Sequence, residues 1–140
     1  MTRHRKDRGM RTQLVVANYL RGMGWLAATS AASGRPGADI LNVPFDCEVK
    51  ARKDFNPKAW LDQVRKRNAG QQLKPMSFVV MRFNGQGEDA GQYGALLDFE
   101  TLTGLLLKCG YLTEGISRCQ CGSWISTGRE CKVCDALNAR

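Results

Sequence analysis

The stretch Gly37-Ala38-Asp39-Ile40-Leu41-Asn42-Val43-Pro44-Phe45-Asp46-Cys47-Glu48-Val49-Lys50-Ala51 decides how this chain is read. Pro44 and Phe45 sit near a turn, which predicts a hairpin with one strand over 38–43 and another over 46–51. Alternate residues of a strand share a face. Cys47, Val49 and Ala51 therefore point to a core, while Asp46, Glu48 and Lys50 project together from the other face. A tight hairpin also brings the Asp39 carboxylate beside Glu48.

Two carboxylates with open space between them suit Mg²⁺, which takes oxygen ligands and keeps several waters. Such an ion polarises a phosphate and lowers the pKa of a bound water. Lys50 is placed to orient that water or to offset charge building on the phosphate. Glu-x-Lys alone is far more often the pattern of a solvated strand face with an ion pair. Gly37 and Ala38 change the weighing, because small residues before the aspartate leave room for a phosphate backbone.

Working upstream, residues 30–37 are small and turn-forming and read as a loop. Trp25-Leu26-Ala27-Ala28 is expected as a short strand. Leu14, Val15, Ala17, Tyr19 and Leu20 form a helical apolar pattern that Gly22 and Gly24 end. Residues 1–11 hold five Lys or Arg and read as a basic arm, mobile until an anion binds it.

Downstream, Asn56-Pro57 opens a helix, with Asn as N-cap and Pro at the first position. It carries Trp60, Leu61 and Val64 on one side and Gln63, Arg65, Lys66 and Arg67 as polar surface. Ser77 to Phe83 reads as a buried strand, 84–91 as a loop, Tyr93 to Leu97 as a strand and Glu100 to Leu107 as a helix. The order predicts an α/β domain with a mixed sheet between helices. The boundaries expected are an arm over 1–11, a main domain over 12–110 and a Cys-rich segment over 111–140.

In that last segment, Cys119-x-Cys121 and Cys131-x-x-Cys134 can place four thiolates on one metal. Gly122 and Gly128 supply turns. The expected ion is a structural Zn²⁺, which gives folding energy to a segment without a core. Cys47 and Cys109 are read as buried thiols outside this set. The competing readings are two disulfides, disfavoured in the cytosol, or unrelated cysteines. The cytosol is expected because no apolar run reaches membrane-spanning length and no signal-peptide core follows the basic N-terminus.

The chain has 140 residues, 43% of them hydrophobic, and a formal net charge of +8. Its pI is near 9.5. The size allows one domain with a real core and a small appendage. The charge points to an anionic partner, with nucleic acid first. Candidate contacts are Arg3, Arg5, Lys6, Arg8 and Arg11 in the arm, Ser30, Ser33 and Arg35 in the loop, and Arg52, Lys53, Gln63 and Lys66 beyond the lysine strand. Arg118, Arg129 and Lys132 surround the cysteines and are placed to touch nucleic acid too.

Gly37-Ala38-Asp39-Ile40, followed by Glu48-Val49-Lys50, resembles the core of the PD-(D/E)xK nuclease superfamily. Within it the order of elements over residues 9–100 is most similar to the archaeal-type and phage-type Holliday junction resolvases. The resemblance implies a restriction-endonuclease-like fold and a Mg²⁺-dependent (or Mn²⁺-dependent) endonuclease acting on branched DNA as a homodimer in recombination or repair. It implies Asp39 and Glu48 as metal ligands, the Val49 carbonyl as a third, and Lys50 as the catalytic lysine. The proline before the aspartate is missing. Gln13 stands where a first-helix glutamate is usual, so it positions a water or reaches the ion without supplying charge. Two other readings stay open: a non-catalytic nucleic-acid-binding protein on a decayed nuclease fold, and a nicking or restriction-type endonuclease.

Overall fold

A computed structural model describes residues 3–32, 35–111, 116–126 and 130–138. It divides into two compact units, Met1–Asp98 and Phe99–Arg140. The first opens with helix α1, Arg3–Gly22. The stretch expected as a separate basic arm is, from Arg3 on, the first half of this helix. Its buried line is Thr12, Val16, Ala17 and Leu20, one face of a 3.6-residue period, while Leu14 and Tyr19 are exposed.

The chain leaves α1 through a turn in which the Trp25 amide donates to the Leu20 carbonyl at 3.1 Å and the Ala28 amide to Trp25 at 3.0 Å. Gly24 takes φ 117° there. Closing the helix end this way uses the backbone that a strand over 25–28 would have paired, and strand β1 is displaced to Thr29–Ser30.

The expected hairpin is also replaced. Strand β2, Ile40–Leu41, pairs antiparallel with β1. Strand β3, Asp46–Lys50, pairs parallel with β4, Ser77–Met81, which in turn pairs antiparallel with β5, Gly94–Leu96. Helix α2, Pro57–Asn68, is the crossover between β3 and β4. As the sequence predicts, the Asn56 side chain caps it by accepting from the Ala59 amide at 3.3 Å, with Pro57 in the first turn.

The two faces of β3 carry different partners. Cys47 and Val49 join Val16, Ala17, Leu20, Ala28 and Ile40 in a core beneath α1. On the opposite face Val79 and Met81, the register partners of Glu48 and Lys50, pack with Trp60 and Val64 of α2. The result is a mixed α/β unit with α1 and α2 on opposite sides of a small mixed sheet. No helix among the described residues is long and apolar enough to cross a membrane.

The second unit contains helix α3, Phe99–Lys108, strands β6, Ile116–Arg118, and β7, Trp124–Ser126, paired antiparallel, and helix α4, Lys132–Asn138. Helix α3 ends where Gly110 takes φ 84° and the Tyr111 amide reaches back to Leu106 at 2.8 Å.

Candidate functional site

Every residue of β3 is buried, including Asp46, Glu48 and Lys50, which are 6%, 4% and 9% exposed. Charged groups are almost never buried unless paired, so the partners of these three define the site. Lys50 Nζ donates to Glu48 Oε1 at 2.7 Å and to Gln63 Oε1 at 2.9 Å. Gln63 Nε2 donates to the same Glu48 oxygen at 3.2 Å. The α2 glutamine singled out in the sequence is therefore joined to both members of the Glu-x-Lys pair.

Asp39 reaches this strand through its side chain. Its amide donates to the Cys47 carbonyl at 3.1 Å. Its Oδ2 accepts from the Val49 amide at 2.7 Å, taking the donor that a hairpin carbonyl would have used. Val49 thus enters the site through its amide, whereas the resemblance implicates its carbonyl. Asp39 Oδ1 accepts from Gln13 Nε2 at 2.8 Å, which places the first-helix glutamine against the aspartate. Burial raises the Asp39 pKa, the Val49 amide opposes that shift, and the nearby Glu48 charge adds to it.

The sequence presents Arg67 only as basic surface of α2, yet it is the chief counter-charge here. Its Nη1 donates to Glu48 Oε2 at 2.8 Å and to the Gly37 carbonyl at 2.9 Å. Its Nε donates to Asp46 Oδ2 at 2.8 Å, and its Nη2 pairs with Asp46 Oδ1. Asn68 Nδ2 adds a bond to Asp46 Oδ2 at 2.7 Å. Burial disfavours the Arg67 charge, but the bonds to Asp46 and Glu48 outweigh it and hold the guanidinium pKa above its ordinary value. The signal available in the sequence was spacing: Arg67 lies four residues after Gln63 and so shares its helix face.

The oxygens of this cluster are of the type a hard divalent cation takes, and each carboxylate oxygen of Asp39 and Glu48 already accepts a hydrogen bond. Asp39 and Glu48 supply carboxylate oxygens, and Gln13 Oε1 is buried without a hydrogen-bond partner. A buried acceptor left unpaired costs about 1–3 kcal/mol, so a cation or water beside it is favoured. Lys50 and Arg67 partly neutralise the carboxylates, which limits the charge left for a cation.

The candidate contact residues are spread more widely. Arg3, Lys6, Arg8 and Arg11 lie on α1, with Arg8 bonded to Asn84 at 3.5 Å and Arg11 paired with Glu88. Arg5 lies on α1 as well. Arg35, Arg52, Lys53 and Lys66 are exposed, and Ser30 is half-buried on β1. Ser33, Gly128 and Arg129 lie outside the described residues.

The four C-terminal cysteines do converge. The sulfurs of Cys119, Cys121, Cys131 and Cys134 all lie within 4.8 Å of one another. Cys119 and Cys134 are 3.4 Å apart, and Cys121 and Cys131 3.5 Å. Corners of a ZnS₄ tetrahedron with bonds near 2.3 Å stand about 3.8 Å apart, so the set is compatible with a structural zinc site. The β6–β7 turn builds half of it: the Cys119 amide donates to Ser123 and the Gly122 amide to Cys119, both at 2.8 Å, with Gly122 at φ 88°. Hydrogen bonds with the Ser123 side chain and amide bring the Cys121 thiol down to about 6. Of the remaining cysteines, Cys47 is buried as expected, whereas Cys109 is exposed in the turn that follows α3.

No family model, no curated protein and no solved structure matches this chain.

Proposed function

We propose that this protein is a Mg²⁺-dependent endonuclease of the PD-(D/E)xK type, structure-selective for branched DNA in the manner of a Holliday junction resolvase. The observation that carries the reading is the Asp39–Glu48–Lys50 cluster, joined to Gln13 and Gln63. A buried lysine ammonium, a buried glutamate and a half-buried aspartate are held together by partners from two helices. That is costly as structure and economical as preorganised phosphodiester chemistry.

In this reading Asp39, Glu48 and the Gln13 amide oxygen hold the cation, which would polarise the scissile phosphate and acidify a water. The chain's own groups do the rest. Lys50 lies against the Glu48 carboxylate, where it stabilises negative charge growing on the phosphate oxygens. Gln63 fixes the Lys50 ammonium by accepting from it. The basic residues of α1 and the exposed Arg52, Lys53 and Lys66 neutralise backbone phosphates, which supplies affinity without sequence choice. Symmetric cutting of a junction needs two copies, so a homodimer belongs to the reading.

The Arg67 bridge favours a second reading, a nucleic-acid-binding protein without catalysis. There the guanidinium permanently occupies the place of a cation at Glu48.

Cleavage of a labelled four-way junction and a matched linear duplex, each with Mg²⁺ or with EDTA, separates these. Symmetric Mg²⁺-dependent cuts confined to the junction are expected, and Lys50→Ala should abolish them while binding persists. Equal cutting of the duplex would make the protein a nicking or restriction-type enzyme. Binding with no cleavage of either DNA would leave the non-catalytic reading.

A further inference from the structure

Aromatic side chains stand at the carboxyl ends of β3 and β4 with no part in the cluster described above. Phe55, in the loop between β3 and α2, is 62% exposed. Its ring meets Trp60 edge-on, with centroids 5.5 Å apart and planes at 90°. Phe83, 42% exposed, lies 6.1 Å from Phe55 with planes at 55°. Trp60 is buried against Val64, Val79 and Met81, so Phe55 is braced on a fixed core residue. Phe83 follows Arg82, whose amide donates to the Lys50 carbonyl at 2.9 Å. The aromatic pair and Lys50 therefore share one end of the sheet.

A single exposed phenylalanine needs no explanation. Here two are set side by side, and the loop that carries Phe55 also exposes Arg52 and Lys53. Asp54 is the loop's only acid before α2. Lys58, on the first turn of α2, is tied to Asp62 at 2.6 Å. Cations beside a free aromatic face are the chemistry that takes a nucleotide, with phosphate on the cation and base on the ring.

We propose that Phe55, flanked by Phe83, is a stacking platform for an unpaired base of single-stranded DNA, with Arg52 and Lys53 holding the adjoining phosphates. The proposal rests on the nucleic-acid part of the reading above and not on cleavage. A base paired and stacked inside a duplex cannot offer its face to a ring, so the platform selects single-stranded tails, gaps or opened branch points.

Binding of a fluorescein-labelled oligothymidylate, and of a labelled blunt duplex, is measured by anisotropy with the full chain in EDTA, where no cutting occurs. Phe55→Ala should weaken oligothymidylate binding about tenfold and leave duplex binding unchanged, while Phe55→Trp keeps the affinity. Circular dichroism checks that each variant is folded, as the exposure of Phe55 predicts. Unchanged oligothymidylate affinity in Phe55→Ala overturns the proposal, as does a wild-type chain that binds only duplex. A change in sedimentation mass on Phe55→Ala also overturns it, since the patch would then join two copies of the chain. If the wild type binds neither DNA, the nucleic-acid reading falls as well. Oligothymidylate binding without junction cleavage removes the nuclease and keeps the platform.

Discussion

Arg67 Nη1 donates to Glu48 Oε2 at 2.8 Å while the rest of the same guanidinium grips Asp46. One side chain of α2 thus bridges two buried carboxylates of β3 and, through the Gly37 carbonyl, ties down the turn before Asp39. Removing one partner of a buried ion pair typically costs about 3–5 kcal/mol, because it strands the other charge. Arg67→Met should therefore lower stability by about 3 kcal/mol or more in urea unfolding. Arg67→Lys should recover little, since an ammonium cannot span both carboxylates. Adding Asp46→Asn to Arg67→Met should restore part of the loss; no recovery would mean that the arginine acts through packing instead.

The half-buried Asp39 carboxyl titrates above its ordinary range, chiefly because partial burial penalises its charge. The folded state then holds this proton more tightly than the unfolded state does. Its contribution is most favourable below the unfolded pKa and declines as pH rises through the folded pKa. At neutral pH in EDTA, Asp39→Asn should raise the melting temperature. The same substitution should remove any stabilisation by Mn²⁺, because the ligand charge is gone. A melting temperature that falls in EDTA would show that the carboxylate's bonds to Gln13 and Val49 outweigh its burial.

Gln13 touches Asp39 through its amide nitrogen and leaves Oε1 buried without a partner. Gln13→Glu replaces that donor with a second carboxylate. Without a cation the two acids repel, so stability in EDTA should drop. With Mn²⁺ the extra charge should tighten binding about tenfold or more, read by calorimetry, independently of any cleavage. An unchanged affinity would place the cation away from α1.

These contacts show which parts of the site a linear sequence discloses. The shared face of Asp46, Glu48 and Lys50 follows from strand periodicity, and Gln63 from its place on the next helix. The way Asp39 arrives does not. Residues 40–41 pair with 29–30, and the aspartate side chain takes the Val49 amide that a hairpin strand would have taken. Local pattern cannot distinguish a ladder from a side chain that mimics one. Arg67 was hidden for another reason: a basic residue late in an amphipathic helix reads as solvated surface, and only the packing of α2 on β4 turns it toward buried acids. The helical start at Arg3 was missed because its apolar residues are too sparse to show a buried face.

The cysteine cluster gives the last test. Among its neighbours, few described residues of 116–138 are buried, and Cys131 is one of them. Two three-residue strands and a short helix have too little apolar contact to fold alone, and a zinc ion held by the four thiolates would supply the missing folding energy. Stripping metal with a strong chelator should release one zinc per chain, seen with a colorimetric indicator, and should make the segment after Asp98 sensitive to protease. The core around Val16, Ile40 and Val79 lies wholly in the first unit and should keep its thermal transition. Cys131→Ser should reproduce the protease sensitivity without a chelator, because three thiolates and a hydroxyl bind zinc far less tightly than four thiolates. If Cys131→Ser retains its zinc and its protease resistance, the four sulfurs are neighbours without a metal between them, and the segment must be stabilised by other contacts.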